Sequence, residues 1–306
     1  MEMSPTGGGV VLSGASGMLG SALRQALCHR SRFVIQLVRG APVAPGQLQW
    51  APSANPPIAQ MTALEGCAAA IHLSGANVSE KRWTEAYRRE ITASRIDSTR
   101  VLAQALAGLH QRPKALLVAS AVGIYGDRGD DLLTESSASG KGFLADVCRQ
   151  WEAAAQPALD AGIRVVHLRF GVVLSPGHGA LAQMLPLFRR GLGGKLGSGR
   201  QWMSWIILDD AIAAILHALE TPSLVGPVNL TAPNPVSNAE FTRSLGHQLK
   251  RPAVFAVPAF ALRIAFGQMA DEALLASARV LPAKLQAEKF EFKHPTIDEA
   301  LAAILP

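Results

Sequence analysis

The 306-residue chain is 49% hydrophobic and 17% charged, which suits one compact domain with a lobe, or two modest domains sharing a core, and excludes a disordered chain. Its three cysteines, Cys28, Cys67 and Cys148, are widely spaced with no C-x-x-C, so neither a disulfide framework nor a metal site is indicated. The net charge of +6 comes from scattered basic residues without a recognition motif, which argues against nucleic acid and suits an anionic cofactor or substrate.

Met1 to Gly8 is polar and too short for a signal peptide, and the greasiest segment, Val254 to Phe266, is interrupted by Pro258 and Arg263. A cytoplasmic protein that does not engage a membrane is the expectation. The first apolar run, Gly9 to Leu12, reads as a strand. It passes through Ser13 into Gly14-Ala15-Ser16-Gly17-Met18-Leu19-Gly20 and then a helix from Ser21 to Arg30 with Leu19, Ala22, Leu23, Ala26 and Leu27 on one stripe. Glycines at this junction allow a sharp turn, a close approach of diphosphate to the main chain, and tight packing of helix on strand. The free N–H groups at the helix start attract the anion. A dinucleotide is the expected guest, and a glycine-rich turn that binds nothing is the plainer alternative.

Phe33 to Val38 reads as a second buried strand ending at Arg39. Sites for NAD place an acid about twenty residues past the glycines, whereas NADP sites carry an Arg for the 2′-phosphate. No Asp or Glu occurs from Ser21 through Leu64, and Arg39 stands at the strand end, so NADP is the expected cofactor. Ala41 to Pro57 reads as a loop with a short strand at Leu48 to Trp50, and Ala69 to Ala76 as a strand whose end, Leu73, Ser74 and Gly75, lines the site. His72, between apolar neighbours, reads as a satisfied core histidine.

A long helix from Thr84 to Gly108 follows, with Lys81-Arg82 and Arg88-Arg89 forming its basic face. Ala115 to Ala119 forms a central strand opening into Ser120-Ala121-Val122-Gly123-Ile124-Tyr125-Gly126 and an acidic loop, Asp127 to Gly140. A helix from Gly142 to Ala161 and a strand from Arg164 to Phe170 complete six alternating units, which argue a parallel sheet wound on both faces. Beyond Gly171 come a flexible stretch, Gly193 to Gln201, a helix to Glu220 capped by Asp209 or Asp210, a returning strand at Val228 to Leu230, and amphipathic helices from Ser237 to Pro306.

The G-x-x-G-x-x-G spacing behind Ser13 resembles the short-chain dehydrogenase/reductase superfamily. Ala121 to Gly126, Arg169 to Leu174, Gly197 to Gln201, Trp205-Ile206 and Asp209-Asp210 fall in the order of its extended branch, the NAD(P)-dependent epimerase/dehydratase family. Leu73 to Asn77, Glu90, Ser94-Arg95-Ile96, Arg251-Pro252 through Pro282 and Phe290-Glu291-Phe292 resemble, more narrowly, an atypical branch known as epimerase family proteins. The resemblance implies an α/β fold, a Rossmann-type doubly wound parallel sheet with a smaller, mainly helical C-terminal lobe. Residues 1–230 would form the NADP-binding domain, with 175–204 contributing to the substrate lobe, and 231–306 the C-terminal lobe. It also implies that Arg39, Leu73, Ser74, Glu90, Arg95 and Val172 join Gly14 to Gly20 in holding NADP.

That family's usual chemistry needs a tyrosine, a lysine four residues on, and a Ser or Thr at the substrate oxygen. No Tyr-x-x-x-Lys exists here: alignment on Glu152 puts Leu144 and Cys148 at the first two places, and alignment on Ile124-Tyr125-Gly126 puts Ala121 at the third. Ile207 stands where the branch often has a histidine. Ser120 and Tyr125 remain as catalytic candidates, with Asp127 or Lys141 able to assist. Against this stand structural roles, Ser120 satisfying backbone groups and Tyr125 packing under the cofactor. Two functions follow: an NADP-dependent oxidoreductase or epimerase acting on a small or nucleotide-linked substrate, or an NADP-responsive regulator or scaffold that has lost catalysis. Both leave room for a protein partner or a homo-oligomer, and the substrate stays open.

Overall fold

The computed structural model describes residues 8–306; residues 1–7, on which most of the reading of a missing leader rests, lie outside the described residues. In chain order, β1 (Val10–Ser13) leads into α1 (Met18–His29), β2 (Val34–Val38), β3 (Gln47–Gln49), β4 (Ala69–His72), α2 (Glu85–Ala107) and β5 (Ala115–Ala121). Next come β6 (Leu132–Leu133), α3 (Phe143–Ala153), α4 (Gln156–Asp160), β7 (Arg164–Phe170), β8 (Val172–Leu174), α5 (Gly179–Arg189) and β9 (Gly194–Leu196). They are followed by β10 (Trp202–Met203), β11 (Trp205–Ile207), α6 (Leu208–Glu220), β12 (Gly226–Leu230) and β13 (Val236–Ser237). The last part holds α7 (Asn238–Gln248), β14 (Phe255–Val257), α8 (Ala259–Phe266), β15 (Arg279–Val280), α9 (Ala283–Ala287) and α10 (Ile297–Ile304).

Seven strands form one sheet in the order β3-β2-β1-β4-β5-β7-β12, and every neighbouring pair is parallel. Strands β1 and β4 are buried along their whole length, which is why they read as unbroken apolar runs. Helix α1 packs with α6, and α2 with α3 and α4, so two helical layers flank the sheet. Leu12, Leu23, Ile71, Leu102, Leu106, Leu116 and Leu117 are at most 1% exposed in the core between them, each burial contributing about 1.5–3 kcal/mol. The strand order reverses between β1 and β4, and a crevice for a ligand opens beyond the carboxyl ends of such strands. A second core, with Trp205, Phe241, Leu245 and Leu301 fully buried, joins α5, β11, α7 and α10 in the smaller C-terminal part.

Several expectations need correction. Helix α1 starts at Met18 rather than Ser21, because Gly17 turns the chain directly into the helix. The single helix expected from Gly142 to Ala161 is two: α3 ends at Ala153, and Pro157 in the first turn of α4 has no N–H to carry the ladder across the junction. Neither Asp209 nor Asp210 caps α6, whose N-cap position is Ile207 without a side-chain bond. Asp210 is instead 1% exposed and accepts the N–H groups of Lys293 and His294 at 3.1 Å, tying the tail to the sheet domain. The stretch Gly193 to Gln201 is not simply a flexible linker, since β9 within it pairs in parallel with β14.

Candidate functional site

The crevice is built at the carboxyl ends of β1, β2 and β4. Ser13 pairs with Leu37 on one side and His72 on the other, so the chain leaves the sheet at Gly14, Arg39 and Leu73 along a common edge. Gly14 has φ +74°, and a methyl group there would lie 2.8 Å from the carbonyl carbon of Leu73, so this turn demands glycine on two counts. A methyl on Gly20 would sit 2.1 Å from the Gly14 carbonyl oxygen, so the first turn of α1 packs directly on the loop. Gly17 is the N-cap, no side chain caps the helix and no acid lies in its first turn, leaving amide donors and the positive dipole end facing the loop. These features fit a dinucleotide diphosphate: a turn of glycines and small residues ending on a helix without a side-chain cap.

Arg39 is exposed immediately past β2. Gly75 and Arg95 are in contact, for a methyl on Gly75 would lie 3.3 Å from the guanidinium carbon of Arg95. That guanidinium stacks over the Trp151 ring, 5.1 Å from its centroid, and donates to the Ile91 carbonyl at 3.2 Å. Burial lowers its pKa from the ordinary value. Val172 opens β8 and pairs with Trp205. Glu90 stands apart: it is exposed, and its carboxylate lies 3.9 Å from the Lys81 ammonium. Beneath the loop, His72 is fully buried and hydrogen-bonds through its two ring nitrogens with the Ser13 and Ser98 hydroxyls. Burial drives its pKa down to about 4, so it is a neutral core group.

Ser120, Arg169 and Asn229 occupy one row across β5, β7 and β12. Ser120, 3% exposed, donates to the Glu152 carboxylate at 2.7 Å, not to backbone groups. Arg169 forks onto the same carboxylate with two bonds of 2.8 Å and donates to the Tyr125 hydroxyl at 3.0 Å. Although burial works against its charge, Glu152 and Tyr125 hold the guanidinium pKa above its ordinary value. Tyr125 has no exposed surface, donates to the Asn229 side-chain oxygen at 2.8 Å, and burial first of all raises its phenol pKa. Asn229 donates through its side-chain nitrogen to the Leu281 carbonyl at 2.9 Å, and its backbone N–H meets the buried Glu135 carboxylate at 3.0 Å. Both hydroxyls singled out from the sequence are thus spent inside a packed polar chain.

The three places where the resemblance expects catalytic side chains are neighbours. Leu144 and Cys148 lie one turn apart on α3, Leu144 contacts the Gly123 turn, and Cys148 is buried in a cluster against which Ala121 packs. Burial first, then the Glu152 charge, pushes that thiol up to about 11, so it stays protonated at neutral pH. Ile207 is 1% exposed. Asp127 accepts the N–H groups of Ser277 and Gly129, and Lys141 is exposed. Sequence reasoning missed the roles of Arg169, Asn229 and Glu135. The available signal was a guanidinium near the end of a mostly apolar strand, between Leu168 and Phe170, which must find a buried acid.

Comparison with known proteins adds the following. The pattern of the NAD dependent epimerase/dehydratase family matches residues 10–230, and that of a domain of unknown function, DUF1731, matches residues 257–304. An epimerase family protein of Mycobacterium bovis is 45% identical over 95% of this chain and 96% of its own length. The crystal structure of the human epimerase family protein SDR39U1 with NADPH superposes with a TM-score of 0.88 at 34% identity, covering 96% of this chain and 98% of that one. A nucleoside-diphosphate sugar epimerase of Corynebacterium glutamicum gives 0.80 at 38% identity over 98% of this chain but 58% of its own.

Proposed function

The chain belongs to the NAD dependent epimerase/dehydratase family, and from that premise we propose that it binds NADP(H) across the α1 amino end and uses it as an oxidoreductase or epimerase on a small or nucleotide-linked substrate. The observation that carries the reading is the cradle of Gly14, Gly17 and Gly20 with Arg39 on the same sheet edge and no acid to repel a 2′-phosphate. It is supported by the NADPH in the human relative. Bound there, the coenzyme would supply hydride transfer. Arg39 would fork onto the 2′-phosphate, the α1 amides would hold the diphosphate, and Leu73, Ser74, Gly75, Arg95 and Val172 would wall the crevice. Glu90 joins this set only through the family resemblance, since its carboxylate faces Lys81. The site is atypical in that Leu144, Cys148 and Ala121 stand where the family keeps its tyrosine, lysine and hydroxyl, and a cytoplasmic location goes with the reading.

One observation favours a second reading, an NADP(H)-responsive regulatory or scaffold protein. Leu144, Cys148 and Ala121 fill the catalytic places with groups that do not exchange protons at neutral pH, while Ser120 and Tyr125 are engaged elsewhere. The test loads the protein with NADPH, offers a panel of carbonyl compounds and nucleotide sugars, and follows coenzyme absorbance. Turnover supports the first reading. A bound but inert coenzyme, with partner capture that depends on it, supports the second, and absence of pyridine-nucleotide binding defeats both.

A further inference from the structure

Away from the crevice, a cleft of about 440 Å³ opens between α7 and the β9–β14 ribbon. Lys195, Arg243, His247 and Arg251 line it, with Thr242 and the apolar Val254 and Phe255, and no carboxylate is among the lining residues. Neither Lys195 nor Arg243 makes an ion pair among the described residues. Arg251 is held by neutral groups, donating to the carbonyls of Arg189 and Lys250 at 3.0 and 3.3 Å, so its charge is positioned without being cancelled. The Thr242 hydroxyl oxygen is buried and has no hydrogen-bond partner among the described residues. Asp298 borders a separate hollow that shares Arg243 and His247, and pairs with neither.

Three cationic side chains line one concavity, and a cleft lined by one sign of charge draws anions. We propose that the cleft is a binding site for a phosphoryl group attached to an apolar body, separate from the coenzyme crevice. A dianionic tetrahedral group answers two guanidinium groups and an ammonium better than a single carboxylate does, and guanidinium groups meet it bidentately. Val254 and Phe255, 80% and 53% exposed among the described residues, offer the apolar body a wall.

The same chemistry is presented by a free phosphate ester and by a phospholipid headgroup. Hexyl phosphate and, separately, vesicles containing phosphatidic acid are titrated into the full-length protein with NADPH in excess. The comparison is the Lys195→Gln/Arg243→Gln variant, whose changed side chains are exposed and therefore leave the fold intact, as its unchanged thermal midpoint should confirm. Saturable binding of hexyl phosphate that weakens at least tenfold in the variant, with NADPH affinity unchanged, is expected. Vesicle binding with the same dependence assigns the source to a lipid headgroup, and its absence assigns it to a soluble ester. Failure of both probes to bind, or equal binding by the variant, overturns the proposal.

Discussion

Glu152 on α3 and Arg169 on β7 are joined by two parallel hydrogen bonds of 2.8 Å, with side chains only 13% and 9% exposed. The pair links the helix that carries Leu144 and Cys148 to the strand from which Arg169 reaches the Tyr125 hydroxyl, itself bonded to Asn229 on β12. Removing one member leaves an uncompensated buried charge. Arg169→Met or Glu152→Gln should therefore lower unfolding free energy by about 3–5 kcal/mol, and the double replacement should recover much of the loss. Urea denaturation with constant m-values checks this, and additive losses in the double variant would show that the two act independently.

Arg39 offers the sharpest test of coenzyme choice. A guanidinium bond to a phosphate contributes about 1.5–3 kcal/mol, so Arg39→Ala should weaken NADPH binding about 10- to 100-fold. NADH has no 2′-phosphate and should lose almost nothing. Calorimetry with both nucleotides reads the difference, and equal weakening would remove Arg39 from the 2′-phosphate.

The two close backbone contacts of the loop leave no room for a methyl group at either glycine. Gly20→Ala would drive a methyl to 2.1 Å from the Gly14 carbonyl oxygen, and Gly14→Ala adds a left-handed φ of +74° to a 2.8 Å clash with Leu73. Each should cost a few kcal/mol, on the order of 2–4, and abolish measurable NADPH binding at micromolar coenzyme. Retained binding in either would mean the loop rearranges without loss.

Much of this architecture is written locally. The strand-to-helix change at Gly14, the acid-free span ending in Arg39, and His72 in its apolar run each depend on neighbours in sequence, and the fold follows from their alternation. The polar chain was harder to read because its members are far apart: Tyr125 and Asn229 are 104 residues distant, and Asn229 meets Glu135 across 94. Asp210 misled for a similar reason, since its position at a helix start suits a cap while its true partners are backbone groups more than 80 residues downstream. Long-range satisfaction of buried polar groups leaves no periodic trace in a sequence.

The thiols should separate by burial. Cys28 is exposed, whereas Cys67 and Cys148 are buried and their thiols are pushed up to about 11 by that burial. One thiol should therefore react promptly with an aromatic disulfide reagent at pH 8, and the other two only at the rate of global unfolding. Prompt reaction of a second thiol, lost in Cys148→Ala, would reveal an open path to the catalytic places.

Stability should fall on acidification in a way that singles out His72. In the folded protein its imidazole titrates near 4, against an unfolded value of 6.5, so the unfolded chain binds the extra proton between those pH values. The contribution is fully present above pH 6.5 and is lost as pH falls toward 4, amounting to about 2 kcal/mol between pH 8 and pH 5. Burial lowers the pKa of His167 as well, so the two slopes have the same sign. His72→Asn keeps a polar side chain between Ser13 and Ser98 but cannot titrate. Urea midpoints measured from pH 8 to pH 5 should therefore fall less steeply in that variant than in the parent, with the His167 part of the slope remaining. Parallel slopes in the two proteins would mean that the Ser13–His72–Ser98 link admits the charged ring.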